Sequence, residues 1–475
     1  MNDTKQIEKS KSLVDAANEP SRPGEKVCIA SVRASPGTYL VVSSVLTFFA
    51  GLMLSSEKDG WALLAIVVAW TLVPALALTD KIVFDGQSLV RRGAVPFIFL
   101  LISGRTQQLS VAEVERVDTN AVRTLRRGGR VRYRYRTQII GKGTGFVFAS
   151  GGRRYREMVQ RLFPLIHDDK IDLRTRELRD YLCDPKSLNR ELDWLKLAPA
   201  DVLDNANAEF KLGGKREHAD EQGNAISPGD VERAILLREL GNKLRIAGRL
   251  KEAGEAFRRA LNVLPRDGRL IYDFARLLRS QASSRGDARL LSRARAALRL
   301  SAMRADEDAA LLSLIGEGFL ECNEAARAER SFQRAIELEP RTFRARLGLA
   351  DVALRNGKLA HVIHQYRDAA HEASENALAR YAGSEAEYYV RLNDDDDYLS
   401  TELSRINWLQ TLTHVRRLAA RVTNASVLVA LIGTYAAQAI ASIGWALASS
   451  ALVAWVTSLL AGKLLSARRK PRPMN

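Results

Sequence analysis

One helix-pair pattern returns four times between Ala234 and Ser374 on a frame of about 34 residues, and it limits what this chain can fold into. Small residues recur at Ala253, Ala294, Ala328 and Val362, each followed by a larger one at Phe257, Leu298, Phe332 and Tyr366. A further small residue comes three positions later, at Ala260, Ser301, Ala335 and Ala369. The first helices keep step, with Leu240-Gly241 and Leu244, Phe274-Ala275 and Leu278, Ile315-Gly316 and Phe319, and Leu349-Ala350 and Ala353. Small side chains let two helices approach, the large one fills the gap, and each pair buries its apolar face only on its neighbours. The product is a stack of helix hairpins, an extended surface suited to holding another protein. Between Ala253 and Ala294 the spacing is 41 residues, which predicts a loop insertion near Gln281 to Arg285.

With Pro265 and Pro340 closing two of the units, these positions resemble the tetratricopeptide repeat over roughly 140 of the 475 residues. The resemblance implies an α-helical solenoid whose groove is lined by the second, fifth, ninth and twelfth positions of each first helix. Here these are Arg238, Asn242 and Arg245, then Arg269, Tyr272, Arg276 and Arg279, then Ser313, Glu317 and Leu320. The first half is cationic, so the implied partner is a protein with an acidic segment. The chaperone-tail clamp of the family is not reproduced, because Asp273 and Ala310 stand where it has an asparagine and a basic residue. The competing reading is that these arginines pair with Glu and Asp on neighbouring helices.

Tyr39 to Ser55 and Trp61 to Leu78 are uncharged apolar runs of spanning length separated by Glu57-Lys58-Asp59, which predicts a transmembrane hairpin over 39–79. No charge occurs between Arg421 and Lys463. The apolar core of that stretch would be about 55 Å long as one helix against a hydrocarbon thickness of about 30 Å, so a second hairpin is expected over 425–462. Its turn is placed near Gln438 to Gly444. Arg416, Arg417 and Arg421 precede this hairpin and Lys463, Arg468, Arg469, Lys470 and Arg472 follow it. Basic flanks stay on the cytoplasmic side, so the expectation is a multi-pass inner-membrane protein, about four spans, with its leader (1–38), body and basic tail (463–475) in the cytoplasm. The small face Ala446, Ser450, Ala454 and Ser458 suits close helix packing within the hairpin or a homo-oligomer. Cys28, Cys183 and Cys322 are few and scattered, which fits a reducing compartment and no disulfide framework.

Residues 81–166 change texture. Ile82 to Arg92, Val131 to Ile140 and Gly145 to Ala149 read as strands, and Arg153 to Leu165 as a closing helix. The segments KIVFDGQSLVRRG, RTQQLSVAEVERVD and GGRRYREMVQRLFPLI, placed directly after two spans, resemble bacterial pleckstrin-homology-like domains, which implies a small α+β unit. Ala94 to Ser103 is apolar for such a unit and is expected as a loop or strand dipping toward the bilayer. From Arg116 to Arg161 thirteen Lys or Arg face two acids, a net +11 of the formal +17. In a strand, Arg130, Arg132, Arg134 and Arg136 share one face and Val131, Tyr133 and Tyr135 the other. A solvated face is the plain reading; anionic membrane lipid is the functional one. Inward-pointing tyrosines weigh against nucleic acid, which would stack on exposed rings.

The remaining segments are a charged helix and linker (167–233), with Asn205 to Asp230 too polar to fold, and capping or juxtamembrane helices (375–423). Leu403, Ile406, Leu409, Leu412, Val415 and Leu418 form a stripe expected to cap the solenoid. GKGTG sits in a strand-to-strand turn, unlike a dinucleotide fingerprint. His361, His364 and His371 lack a converging acid or thiol, and Asp394 to Asp397 lacks the spacing and glycine of a calcium loop. No catalytic residue, metal or cofactor is therefore assigned. The expectation is a membrane-anchored scaffold binding a protein through its repeat groove and oriented by a basic domain. The alternative is a lipid-sensing regulator, and a third possibility is an accessory subunit of an enzyme or transporter.

Overall fold

The structure is a computed structural model and describes residues 29–34, 37–55, 58–103, 107–125, 131–142, 144–150, 152–197, 228–305 and 307–466. Expectations for the leader before Ile29, for Arg130, for 198–227 and for the tail beyond Ser466 lie outside the described residues.

The chain begins with strand β1 (Ala30–Arg33), then helices α1 (Gly37–Ser55) and α2 (Asp59–Thr79), the latter with a π-helical turn at Val68–Leu72. There follow β2 (Lys81–Phe84), β3 (Ser88–Arg92), α3 (Ala94–Ser103), β4 (Gln108–Ser110), β5 (Val114–Leu125), β6 (Val131–Gly141), β7 (Thr144–Ala149) and α4 (Arg153–Leu162). β1-β2-β3-β4 form one antiparallel sheet and β5-β6-β7 a second. Phe84, Leu89, Leu109, Ile139 and Phe148 from the sheets and Met158, Leu162 and Phe163 from the closing segment are fully buried together. The alternation in β6 is the cause of its orientation: Tyr135, Thr137 and Ile139 go inward, and Arg134, Arg136 and Gln138 face out.

Several sequence expectations change here. The segment Ile82 to Arg92 is two strands, because Gly86 at φ +98° and the Asp85 carboxylate, which accepts from the Ser88 and Gln87 amides, close a tight turn. Ala94 to Ser103 is a helix, and β5 is a twelve-residue strand that its mixed polarity concealed. Most consequential, β1 comes from the leader: Ala30 pairs with Phe84 and Arg33 with Lys81, so α1 and α2 are inserted between two neighbouring strands. A collar fixes their base. Asp80 is fully buried, accepting from Tyr39 Oη at 2.8 Å and from Arg91 Nε at 2.9 Å. Gly93, at φ +156°, lies so close that a Cβ would sit 2.9 Å from Asp80 Cα.

After the sheets come α5 (Leu173–Tyr181) and α6 (Pro185–Trp194), two short helices where one charged helix was expected. The solenoid follows as α7 (Pro228–Ala247) with α8 (Leu250–Val263), α9 (Gly268–Arg285) with α10 (Ala288–Arg304), α11 (Ala309–Glu321) with α12 (Ala325–Leu338), and α13 (Phe343–Arg355) with α14 (Leu359–Glu372). This is a tetratricopeptide-like solenoid. Ala253, Ala294, Ala328 and Val362 are all at 0 % exposure, and Phe257 and Phe332 fill the gaps opposite glycines. A Cβ on Gly241 would meet the Phe257 ring at 2.8 Å, and one on Gly316 the Phe332 ring at 2.5 Å. The extra residues of the second repeat prolong α9 to 18 residues, against 13 in α11, so the insertion is helical and the loop expectation is corrected.

The solenoid is capped by α15 (Asn376–Asp394), whose Tyr389 stacks on Tyr366 at 5.7 Å. The stripe expected to do this lies in α16 (Asp396–Ala436), where Leu403, Ile406, Val415 and Leu418 are exposed. α17 (Gln438–Ser466) folds back on α16 after a turn at Ala437. The two approach closely where Gly433 faces Ala441 and Gly444 faces Ala430. Ser458 is buried, but Ala446 and Ser450 face outward. Among the described residues two helices are long and apolar enough to cross a membrane, Asp59–Thr79 and Ala439–Gly462; the apolar stretch Val42–Gly51 is shorter.

Phe332 is the key of the third and fourth repeats, since Gly316 and Gly348 both abut its ring. Phe332→Ala is expected to cost about 3–5 kcal/mol, seen as a lowered helical unfolding midpoint in denaturant titration of the full chain.

Candidate functional site: the concave face of the solenoid

The concave face is where the repeat residues and the sheet unit meet. Its first half is filled by α5. Asp172 caps that helix by accepting from the Thr175 amide at 3.0 Å, and the same carboxylate oxygen accepts from the Thr119 amide of β5 at 3.2 Å. The Asp172 amide donates to Val117 O, and Ile171 forms a parallel bridge with Val117. One face of α5 thus belongs to the sheets, with Leu178 at 0 % exposure in their core. The opposite face carries Glu177 into the solenoid.

Glu177 Oε1 accepts from Arg245 Nη2 at 2.9 Å, Arg276 Nη2 at 2.8 Å and Arg276 Nε at 2.9 Å. All three side chains are withdrawn from water. Burial alone raises the Glu177 carboxyl, but Arg245 and Arg276 outweigh it and bring it down to about 2. Arg276 and Arg279 also pair with Glu321 of α11. A neutral bond adds to the clamp: Tyr135 Oη of β6 donates to the Ile246 carbonyl of α7 at 2.8 Å.

Of the expected groove arginines, Arg238, Arg245, Arg276 and Arg279 are engaged within the chain. Arg245, Arg276, Asn242 and Tyr272 are buried. Arg238 lies 3.6 Å from Asp273, Arg279 is partly exposed, and Arg269 is exposed near the start of α9. The carboxylate opposite Arg245 and Arg276 belongs to the protein itself. In the third repeat Ser313 and Leu320 are buried, and Glu317 takes Arg344. Sequence reasoning missed Glu177. Its one signal was an acid set between Arg174, Arg176 and Arg179 in a helix that also carries buried-type leucines.

The second half of the face is open. A cavity of about 280 Å³ lies between β5, the turn before α5, and α11, α13 and α15. Arg116 donates to Tyr381 Oη and pairs with Asp118 at 2.8 Å, while Arg380 and Lys170 reach Glu115 and Glu375 across the same seam. Arg344 donates to the Ile171 carbonyl at 3.3 Å, and its buried Nη1 has no hydrogen-bond partner among the described residues. Asp351 also lines the cavity and is exposed to it. On the sheet unit Arg134 and Arg136 are exposed side by side on β6; Arg132 lies in the same strand, and only its backbone is described.

No protein-family model and no curated protein sequence matches the chain. Among solved structures, it is similar to the one titled "Crystal structure of MamA protein", at 16% identity over 35% of this chain and 96% of that one, with a TM-score of 0.25. It is also similar to "Crystal structure of APC/C hetero-tetramer Cut9-Hcn1", at 14% identity over 66% of this chain and 62% of the other, with a TM-score of 0.28. Superpositions this loose leave the solenoid to be recognised from its own helix packing.

Glu177→Gln removes the charge that two buried guanidiniums require, and is expected to destabilise the junction by about 3–5 kcal/mol. Limited proteolysis of the full chain should then cut between the sheet unit and α7 sooner than in the wild type. Because the folded-state pKa of Glu177 is depressed, its contribution is complete above the ordinary carboxylate value of about 4.5 and is lost as pH falls toward 2. The denaturant-unfolding midpoint of the Gln variant should depend less steeply on pH across that window.

Proposed function

We propose that this protein is a membrane-anchored scaffold, without chemistry of its own, that takes a protein partner in the open half of its concave face. The observation carrying this reading is the division of the solenoid: α5 fills repeats one and two, and α11, α13 and α15 leave a lined cavity. A solenoid face is a protein-binding surface by construction, and a partly used one has room for a second occupant. Asp351 and Arg355 there have no ion-pair partner among the described residues, and the partner segment is expected to bring a Lys or Arg to the Asp351 carboxylate. This replaces the acidic partner expected from the arginines, since Glu177 already stands opposite them.

The anchoring half of the proposal is supported by apolar surface and by topology. Trp61, Leu63, Leu64, Trp70 and Leu72 on α2 and Ile443, Trp445, Leu447 and Leu460 on α17 are exposed. Water would penalise such patches, and lipid would not. β1 pairs with β2, so the two ends of the α1–α2 hairpin must lie on one side of whatever it enters. On this reading α1 and the end of α16 accompany α2 and α17 in a four-helix anchor of the inner membrane, with the body in the cytoplasm.

A second reading is favoured by the basic strand. Two sheets closed by one terminal helix are the arrangement a pleckstrin-homology-like unit would have, and exposed Arg134 and Arg136 suit anionic lipid at about 1 kcal/mol each. β1 and α5 contribute to this core, so the unit is best tested in the full chain. Hydrogen exchange of β6 should slow in nanodiscs with anionic lipid relative to neutral ones, and Arg134→Gln with Arg136→Gln should remove the difference. Equal exchange in both discs would leave the strand as a solvated face.

For topology, cysteines at Asp59 and Ser442 in a cysteine-free chain should react with an impermeant maleimide on intact cells. One at exposed Gln333 should react only after lysis; native Cys322 is buried and would be silent on either side. Labelling of Gln333→Cys from outside would overturn the orientation. For the partner, Asp351→Lys should abolish co-purification of the protein captured by a photocrosslinker at Tyr381, with helicity unchanged.

A further inference from the structure

Beside Glu177 lies a second, smaller cavity of about 120 Å³, enclosed by β5, β6, α5, α7 and α9. Four arginines line it, Arg174, Arg245, Arg276 and Arg279, and one carboxylate, Glu177. Glu321 reaches Arg276 and Arg279 from outside the lining, so four guanidiniums share two carboxylates. Arg245 and Arg276 are spent on Glu177. Arg174, one turn earlier on α5, has no ion-pair partner among the described residues. Arg279 bonds Glu321 through Nη1 alone.

Such an excess is costly. A cation withdrawn from water is stabilised only by opposite charge and hydrogen bonds, and like neighbours make matters worse. Burial first, and then Arg276 and Arg174, bring the Arg279 guanidinium below its ordinary value, although Glu321 opposes them. Arginine forks match the oxygens of phosphate better than any other side chain does. The mouth of the cavity adds a hydroxyl from exposed Ser283. The volume is about four times a water's share of liquid, roughly 30 Å³, which is room for one phosphate group.

We propose that this cavity binds a phosphate group, held by Arg174 and Arg279, the two lining arginines that make no ion pair with Glu177. Occupied, it supplies the missing negative charge at the seam where α5 joins the sheet unit to the solenoid, so the anion and the docked arrangement stabilise one another. The proposal does not depend on membrane anchoring. It also differs from the strand reading, because Arg134 and Arg136 point to the outer face of β6 and do not line the cavity.

The test uses the full chain in nanodiscs of neutral phosphatidylcholine, titrated with inorganic phosphate and pyrophosphate by calorimetry and by thermal unfolding, with chloride as the ionic-strength control. Saturable binding with a raised unfolding midpoint is expected. Arg174→Gln should weaken it at least tenfold while leaving the anion-free protein folded, with a midpoint no lower than that of the wild type because a repulsive neighbour of Arg279 is gone, and Arg174→Lys should restore part of the binding. Arg174→Gln with Arg279→Gln should abolish it. A parallel series in discs containing phosphatidic acid identifies the source: stabilisation confined to those discs and lost in Arg174→Gln assigns the phosphate to a lipid headgroup. Absence of saturable binding together with no Arg174-dependent stabilisation in either disc overturns the proposal, as does binding that Arg174→Gln leaves unchanged.

Discussion

The arrangement of this protein depends on one shared carboxylate. Glu177 is the only acid among the lining residues of its cavity, and it answers guanidiniums from two successive repeats, Arg245 on α7 and Arg276 on α9. A surface ion pair is worth little, but a buried one is strongly coupled to geometry: remove either sign and the other is stranded in a poor solvent. The first two repeats are held in register with α5, and α5 is held in register with β5 through Asp172, Thr119 and Val117. Two units that read as separate in the sequence therefore meet over a buried polar seam.

That seam redistributes the surfaces of the solenoid. Binding faces of helical repeats are normally built from the first helices, and here half of that face grips a neighbouring segment of the same chain. Tyr135, with its hydroxyl on the Ile246 carbonyl, is a core residue of the sheets and a contact of the solenoid at once. The open half inherits mixed charge, with Arg344 paired to Glu317 through Nε and Asp351 left facing the cavity.

Much of this was legible in the sequence wherever a period recurred. Ala253, Phe257 and Ala260, and their counterparts, marked the solenoid because small and large positions repeat, and helix packing demands that repetition. The same repetition put Arg245 and Arg276 at matching positions of successive first helices, and they meet at one carboxylate. Their partner was not, because Glu177 is separated from Arg276 by 99 positions, and no local pattern records a contact over that distance. β1 was hidden for a related reason: four residues ahead of an apolar helix carry no strand period of their own, and only pairing with Lys81–Phe84 makes them a strand. The cap went to α15 rather than to the leucine stripe of α16 because Tyr389 and Tyr366 can stack, a shape match that a hydrophobic count does not see.

The insertion of α1 and α2 between β1 and β2 also orders events during synthesis. Ala30–Arg33 leaves the ribosome before the hairpin, and its partner Lys81–Phe84 only after it. The first strand must therefore wait, unpaired, while both apolar helices are placed. Should they enter a bilayer as proposed, a hairpin that crosses wrongly would strand the two halves of the ladder on opposite faces. The sheet edge would stay open and Asp80 would lack Tyr39. Completion of the β1–β2 ladder would then act as a proofreading step, with only correctly inserted chains able to close the domain beneath them.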